Sequence, residues 1–313
     1  MHQRGNLGNH EASASREPDL RVEFLLPQHL PPAYGQFEMV WCPYTDRDLP
    51  EAETTREHII PLSLGGMNGF ELPVCRLFNS SAGSSIDGAV ANDFLILTQR
   101  NKLDVRGHSG KRPVYIAKRS RDVDTGHPVQ LALDQTEGLK VWCSRSRKYV
   151  SGGSRLEFSF NMDLDLDLRF VAKVALAAGY FVYGDLFRRN VRHNELRTIM
   201  NTRASDLGDG IYSIETLADG RFSEGGGERV ETIRTLCRAV PKHSVVGLVP
   251  GPANLGIFVG VLGHYMGLLN VPAVTTSFPN AQAYHWGHVI SPQDGTLKRI
   301  SFRRALERLA SGN

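Results

Sequence analysis

Residues 54–61 read TTREHIIP, and the groups in them able to do chemistry are the adjacent Glu57 and His58. An ion working on a phosphate needs hard oxygen ligands with positions left open, and a nearby group that takes a proton from water. A glutamate suits the first task. A histidine, with an ordinary pKa near 6.5, suits the second at neutral pH. Neighbouring side chains on a strand point to opposite faces, so both serve one site only where the strand ends or is distorted. Pro61 provides such an end, because proline holds its predecessor extended. A solvated Glu beside a structural His is the plain alternative. Asn79, in CRLFNSSAG, adds a further oxygen donor.

The wider stretch REHIIPLSLGGMN…LPVCRLFNSSAGSSID resembles the HNH endonuclease superfamily over residues 38–100. The resemblance implies a two-stranded hairpin and a helix clasping one catalytic Mg²⁺ or Mn²⁺. Glu57 and Asn79 would be the metal ligands and His58 the general base. The implied activity is hydrolysis of DNA phosphodiester bonds, with restriction or defence as a setting by analogy. Many relatives also hold a structural zinc on two C-x-x-C pairs. Here those positions read CPYT and CRLF, so Cys42 and Cys75 remain while Thr45 and Phe78 replace the other two thiolates. A tetrahedral zinc needs four ligands. The expectation is therefore no zinc, with Cys42, Cys75 and Phe78 packing beside Trp41 as a structural staple.

A DNA substrate calls for cations. The chain of 313 residues carries a formal charge of only +3, but Arg100–Glu157 holds thirteen Lys/Arg against six Asp/Glu, a net +7. Phosphate contacts are expected from Arg56, Arg76, Lys111, Arg112, Lys118 and Arg119. Solubilising surface charge is their other reading.

The elements positioning these groups predict an α+β protein: a ββα-metal hairpin-helix domain, a basic β-rich segment and a mixed α/β C-terminal domain. Residues 1–35 read as a polar leader, 36–101 as the HNH domain, 102–160 as the basic segment and 161–313 as the remainder. Ile86, Val90, Phe94 and Leu97 predict one helix, with Ser84 and Asp87 as its capping box. The Asp–Leu alternation over 163–168 predicts a strand, and 229–240 and 301–312 predict amphipathic helices. The apolar run 255–274 reads as core rather than a membrane span, and HWGH at 285–288 as packing rather than metal binding. Four cysteines and no apolar leader suggest a cytoplasmic protein, and a double-strand break by a one-ion site suggests a homodimer. Two other readings stay open: a nucleic-acid-binding module that has lost its chemistry, and a nuclease gated by a ligand-sensing C-terminal domain.

Overall fold

The computed structural model describes residues 39–311 apart from 135–137, 151–154, 160–162, 204–205, 207–213, 225, 241, 280–281 and 294. The polar leader lies outside the described residues. The chain opens with two antiparallel hairpins, β1 (Met39–Cys42) with β2 (Arg47–Pro50), and β3 (Thr54–His58) with β4 (Glu71–Cys75). Helix α1 (Arg76–Ala82) runs through a π-helical turn at Gly83–Asp87 into α2 (Gly88–Ala91), and α3 (Phe94–Leu103) follows.

The single helix expected through residues 86–97 is broken at Asn92–Asp93. The Ser84 side chain of the expected capping box lies outside the described residues, and α3 is capped by Asp93, whose carboxylate accepts from the Leu95 and Ile96 amides at 3.1 and 3.2 Å. Asp93 satisfies donors that a helix start leaves open.

A five-stranded antiparallel sheet comes next, ordered β8-β7-β6-β5-β9, from β5 (Tyr115–Asp122), β6 (Pro128–Asp134), β7 (Gly138–Cys143), β8 (Lys148–Tyr149) and β9 (Leu156–Phe158). Then α4 (Leu164–Tyr183) begins where a strand was expected. Leu164 and Leu168 lie four apart as well as on alternate positions, so the DLDLDL pattern satisfies both periods. The first turn decides for helix: the Asp163 carboxylate caps the Asp165 amide at 3.2 Å, and Asp165 and Asp167 sit at the positive end of the helix dipole.

After α5 (Asp185–Asn190) and α6 (His193–Asn201), the C-terminal region forms a six-stranded antiparallel sheet. Its order is β10 (Leu217–Gly220), β13 (His264–Pro272), β12 (Asn254–Val261), β11 (Val245–Pro250), β14 (His288–Gln293) and β15 (Thr296–Ser301). Ile257, Val259, Met266 and Leu269 face the core that contains α4. Phe258, Tyr265, Leu268 and Val289 face α7 (Gly227–Arg238) and α8 (Phe302–Ser311), the two amphipathic helices read from sequence. Cover on both faces explains why 255–274 is apolar apart from His264 and Asn270. Among the described residues no helix is long and apolar enough to cross a membrane. His288 is buried against Tyr183 and Tyr284, and burial pushes its pKa down to about 3, which keeps it neutral.

One core runs from Ile59, Ile60, Leu64 and Phe70 through α4 to Val246, Ile257 and Ile290. The turn after β3 is seated on the C-terminal sheet. The Ser244 hydroxyl donates to the Leu64 carbonyl, and Gly65, at φ +79°, lies against Leu262. A Cβ on Gly66 would fall 1.6 Å from the Ile60 carbonyl oxygen, so the Gly-Gly pair is required by space as well as by turn geometry.

A second tie is ionic. Arg221 reaches Asp93 at 3.1 Å and Asp167 at 2.8 Å, all three buried. Burial pushes the Asp167 carboxyl up to about 7 against the pull of Arg221. The native state therefore holds this proton more tightly than the unfolded chain does. The stabilisation it gives is complete below about pH 4, the ordinary Asp range, and is lost as the pH rises through about 7. Wild type should lose unfolding free energy relative to Asp167→Asn between pH 5 and pH 8, by about 1.4 kcal/mol per pKa unit crossed. Urea titrations of both proteins at the two pH values measure this difference.

Candidate active site

His58 and Glu71 are direct cross-strand partners of the β3–β4 hairpin, so their side chains share a face. The His58 Nε2 lies 3.0 Å from Glu71 Oε1 and 3.0 Å from Asn68 Oδ1. A carboxylate only accepts, so Nε2 carries the proton and Nδ1 is left as the nitrogen able to take one. The His58 side chain is 15% exposed, and the ring of His108 stands 5.3 Å away. Sequence reasoning missed Glu71, Asn68 and His108. Counting the hairpin register outward from the Gly-Gly turn would have placed Glu71 opposite His58, whereas nothing local points to His108.

Glu57 belongs to the other face. It is opposite Leu72 in the ladder, and its carboxylate turns inward to Lys173 of α4, with Nζ 2.5 Å from Oε1. Lys173 is completely buried and also donates to Asp87 Oδ2 at 2.8 Å. Burial works against the charge on Lys173, but Tyr44, Asp87 and Glu57 around it more than offset this and hold its pKa above the ordinary lysine value. The ammonium thus links the hairpin, the π turn and α4 in one triad. Beside it the Tyr44 hydroxyl and Asp87 Oδ1 are buried without a hydrogen-bond partner among the described residues.

Asn79 lies half-buried on α1, and its side chain bonds no described residue. The three residues expected to surround one ion are therefore not arranged as a set: His58 and Glu57 diverge, and Glu57 is taken by Lys173. Two carboxylates here face one ammonium, and a divalent ion added between them would meet that charge at close range. Among the described residues no three His, Cys, Asp or Glu side chains are grouped to hold an ion. Bonded to Lys173, Glu57 as placed does not fit a divalent metal.

Cys42, Cys75 and Phe78 converge. The Cys75 amide donates to Cys42 Sγ at 3.2 Å, both thiols are free, and the Phe78 ring lies 4.8 Å from that of Tyr44. Trp41 is buried alongside, with Nε1 donating to Asp46 at 3.0 Å. Phe78, where the resemblance implies a thiolate, packs instead against the Tyr44 ring.

The expected phosphate contacts divide. Arg56 is 76% exposed and only loosely paired with Glu71 at 3.9 Å, and Lys111 and Arg119 are exposed. Arg112 pairs with Asp104 at 3.3 Å. The Lys118 side chain lies outside the described residues. Arg76 is committed to structure, donating to the Ala52 and Thr54 carbonyls at 2.7 and 3.2 Å. Arg76→Ala should lower the unfolding free energy by about 1 kcal/mol and leave the salt dependence of DNA binding unchanged, as paired denaturation and salt titrations will show.

Residues 42–95 match the family model for HNH endonucleases, and this stretch, from the first hairpin into α3, carries an HNH-superfamily domain. No curated protein and no solved structure matches the chain.

Proposed function

We propose that the protein is an HNH-type endonuclease that hydrolyses phosphodiester bonds of DNA, with His58 as the proton acceptor. The observation that carries this reading is the His58–Glu71 pair, partly exposed to solvent within the stretch that matches the family. Glu71 accepts from Nε2–H and fixes the tautomer, which leaves Nδ1 to take a proton from the attacking water. Arg56, three-quarters exposed two residues earlier on β3, is offered to the phosphate. The expectation that Glu57 and Asn79 hold the ion is not carried into this mechanism, because Glu57 is bonded to Lys173. HNH domains generally use a divalent ion, so Mg²⁺ or Mn²⁺ belongs in the assay.

A second reading, a DNA-binding module without chemistry, is favoured by the Lys173 ammonium lying between Glu57 and Asp87. Nicking of supercoiled plasmid in Mg²⁺ or Mn²⁺, with a chelator control and His58→Ala alongside, separates the two. Chelator-sensitive nicking lost in the variant supports the nuclease. DNA binding with no nicking in either ion leaves the silent module.

A further inference from the structure

The five-stranded sheet is covered on one face only. Ala117, Val129, Leu131, Val141 and Cys143 point into its small core. Alternation sends the residues between them to the other face, and the register sets them in rows: Ile116 beside Ala132 and Lys140, and Gln130 beside Trp142 and Tyr149. Tyr149 is 65% exposed and Ile116 53%. The Trp142 and Tyr149 rings stand 5.1 Å apart at 70° to each other. Together these side chains line a hollow of about 370 Å³. A second hollow of about 310 Å³, lined by Arg119, Arg121 and Phe158 with Glu157, adjoins β5.

Apolar rings on an open sheet face need an occupant, and charge identifies it. Gly138–Tyr149, which contains both rings, carries four Lys/Arg and no Asp/Glu. Exposed aromatic faces set among cations fit unstacked bases joined by phosphates, whereas a duplex keeps its base faces covered. We infer that the open face of this sheet binds single-stranded nucleic acid, with bases stacking on Trp142 and Tyr149 and phosphates meeting Lys140, Arg119 and the neighbouring cations. The inference extends the DNA reading above and is independent of hydrolysis.

The test uses the full chain in a chelator, so that no cleavage intervenes, and a fluorescein-labelled oligothymidylate of about 15 nucleotides followed by anisotropy. The Trp142→Ala, Tyr149→Ala double variant should bind about tenfold or more weakly. Trp142→Phe, which keeps a ring, should stay close to wild type. An abasic deoxyribose-phosphate chain should bind wild type as weakly as the double variant binds the oligonucleotide. Unchanged affinity in the double variant overturns the proposal. So does sedimentation in which wild type dimerises and the double variant does not, because the face is then covered by a second copy. Oligonucleotide binding without plasmid nicking would defeat the hydrolase reading alone, and nicking without a Trp142 dependence of single-strand binding would defeat this one alone.

Discussion

Replacing Lys173 by methionine lowers the unfolding free energy by about 3–5 kcal/mol, the range for removing one partner of a buried ion pair. Methionine matches the stem but not the charge, and it leaves the Glu57 and Asp87 carboxylates enclosed with no counter-ion. Burial already holds the Asp87 carboxyl up at about 6 against the pull of Lys173, and without the ammonium that pull is gone. The variant therefore recovers stability relative to wild type as the pH falls from 7 towards 5, when the Asp87 carboxyl becomes protonated. Adding Glu57→Gln and Asp87→Asn to the variant restores part of the loss, since neutral amides bear burial better than unpaired carboxylates. Urea unfolding at pH 7 and pH 5 measures each term. Stability equal to wild type at pH 7 would mean that the ammonium is not what the two carboxylates depend on.

On the hydrolase reading proposed above, changing His58 to alanine should lower the nicking rate by about 10²- to 10⁴-fold, the usual contribution of a positioned general base, with DNA affinity and unfolding midpoint close to wild type. Glu71→Gln acts through His58 and so produces a different signature. The amide retains a hydrogen bond but not the negative charge, so the rate falls by less. A nicking rate in Glu71→Gln equal to wild type would remove Glu71 from the mechanism even if His58 stays in it.

Much of the scaffold was legible in the letters. The hairpin follows from the resemblance that EHIIP, the Gly-Gly turn and LPVC carry; the basic strands and the helices at 227–238 and 302–311 follow from periodicity. The first turns of the helix at 164–183 were misread because alternating Asp and Leu satisfies two periods, and only the cap and dipole at Asp163–Asp167 decide between them. The site was legible in part. His58 is presented on the hairpin as its position suggests, and the alternation of strand faces already warned that Glu57 would point away from it. The partner of Glu57 was beyond reach. Lys173 lies 116 residues downstream in a helix that reads as plain core, and no local pattern marks one lysine among alanines and valines as the ion that meets two acids.

The dependence of Glu57 and Asp87 on a side chain from α4 bears on how this stretch can be handled as a part. A fragment cut after α3 would expose Ile59, Ile60 and Leu64 to water and strand two acids, so it should be insoluble when expressed alone. Transplanting residues 42–95 into another chain would require the recipient to bring its own buried base from a distant helix. The stretch is therefore not a cassette: it folds together with the helix that neutralises it.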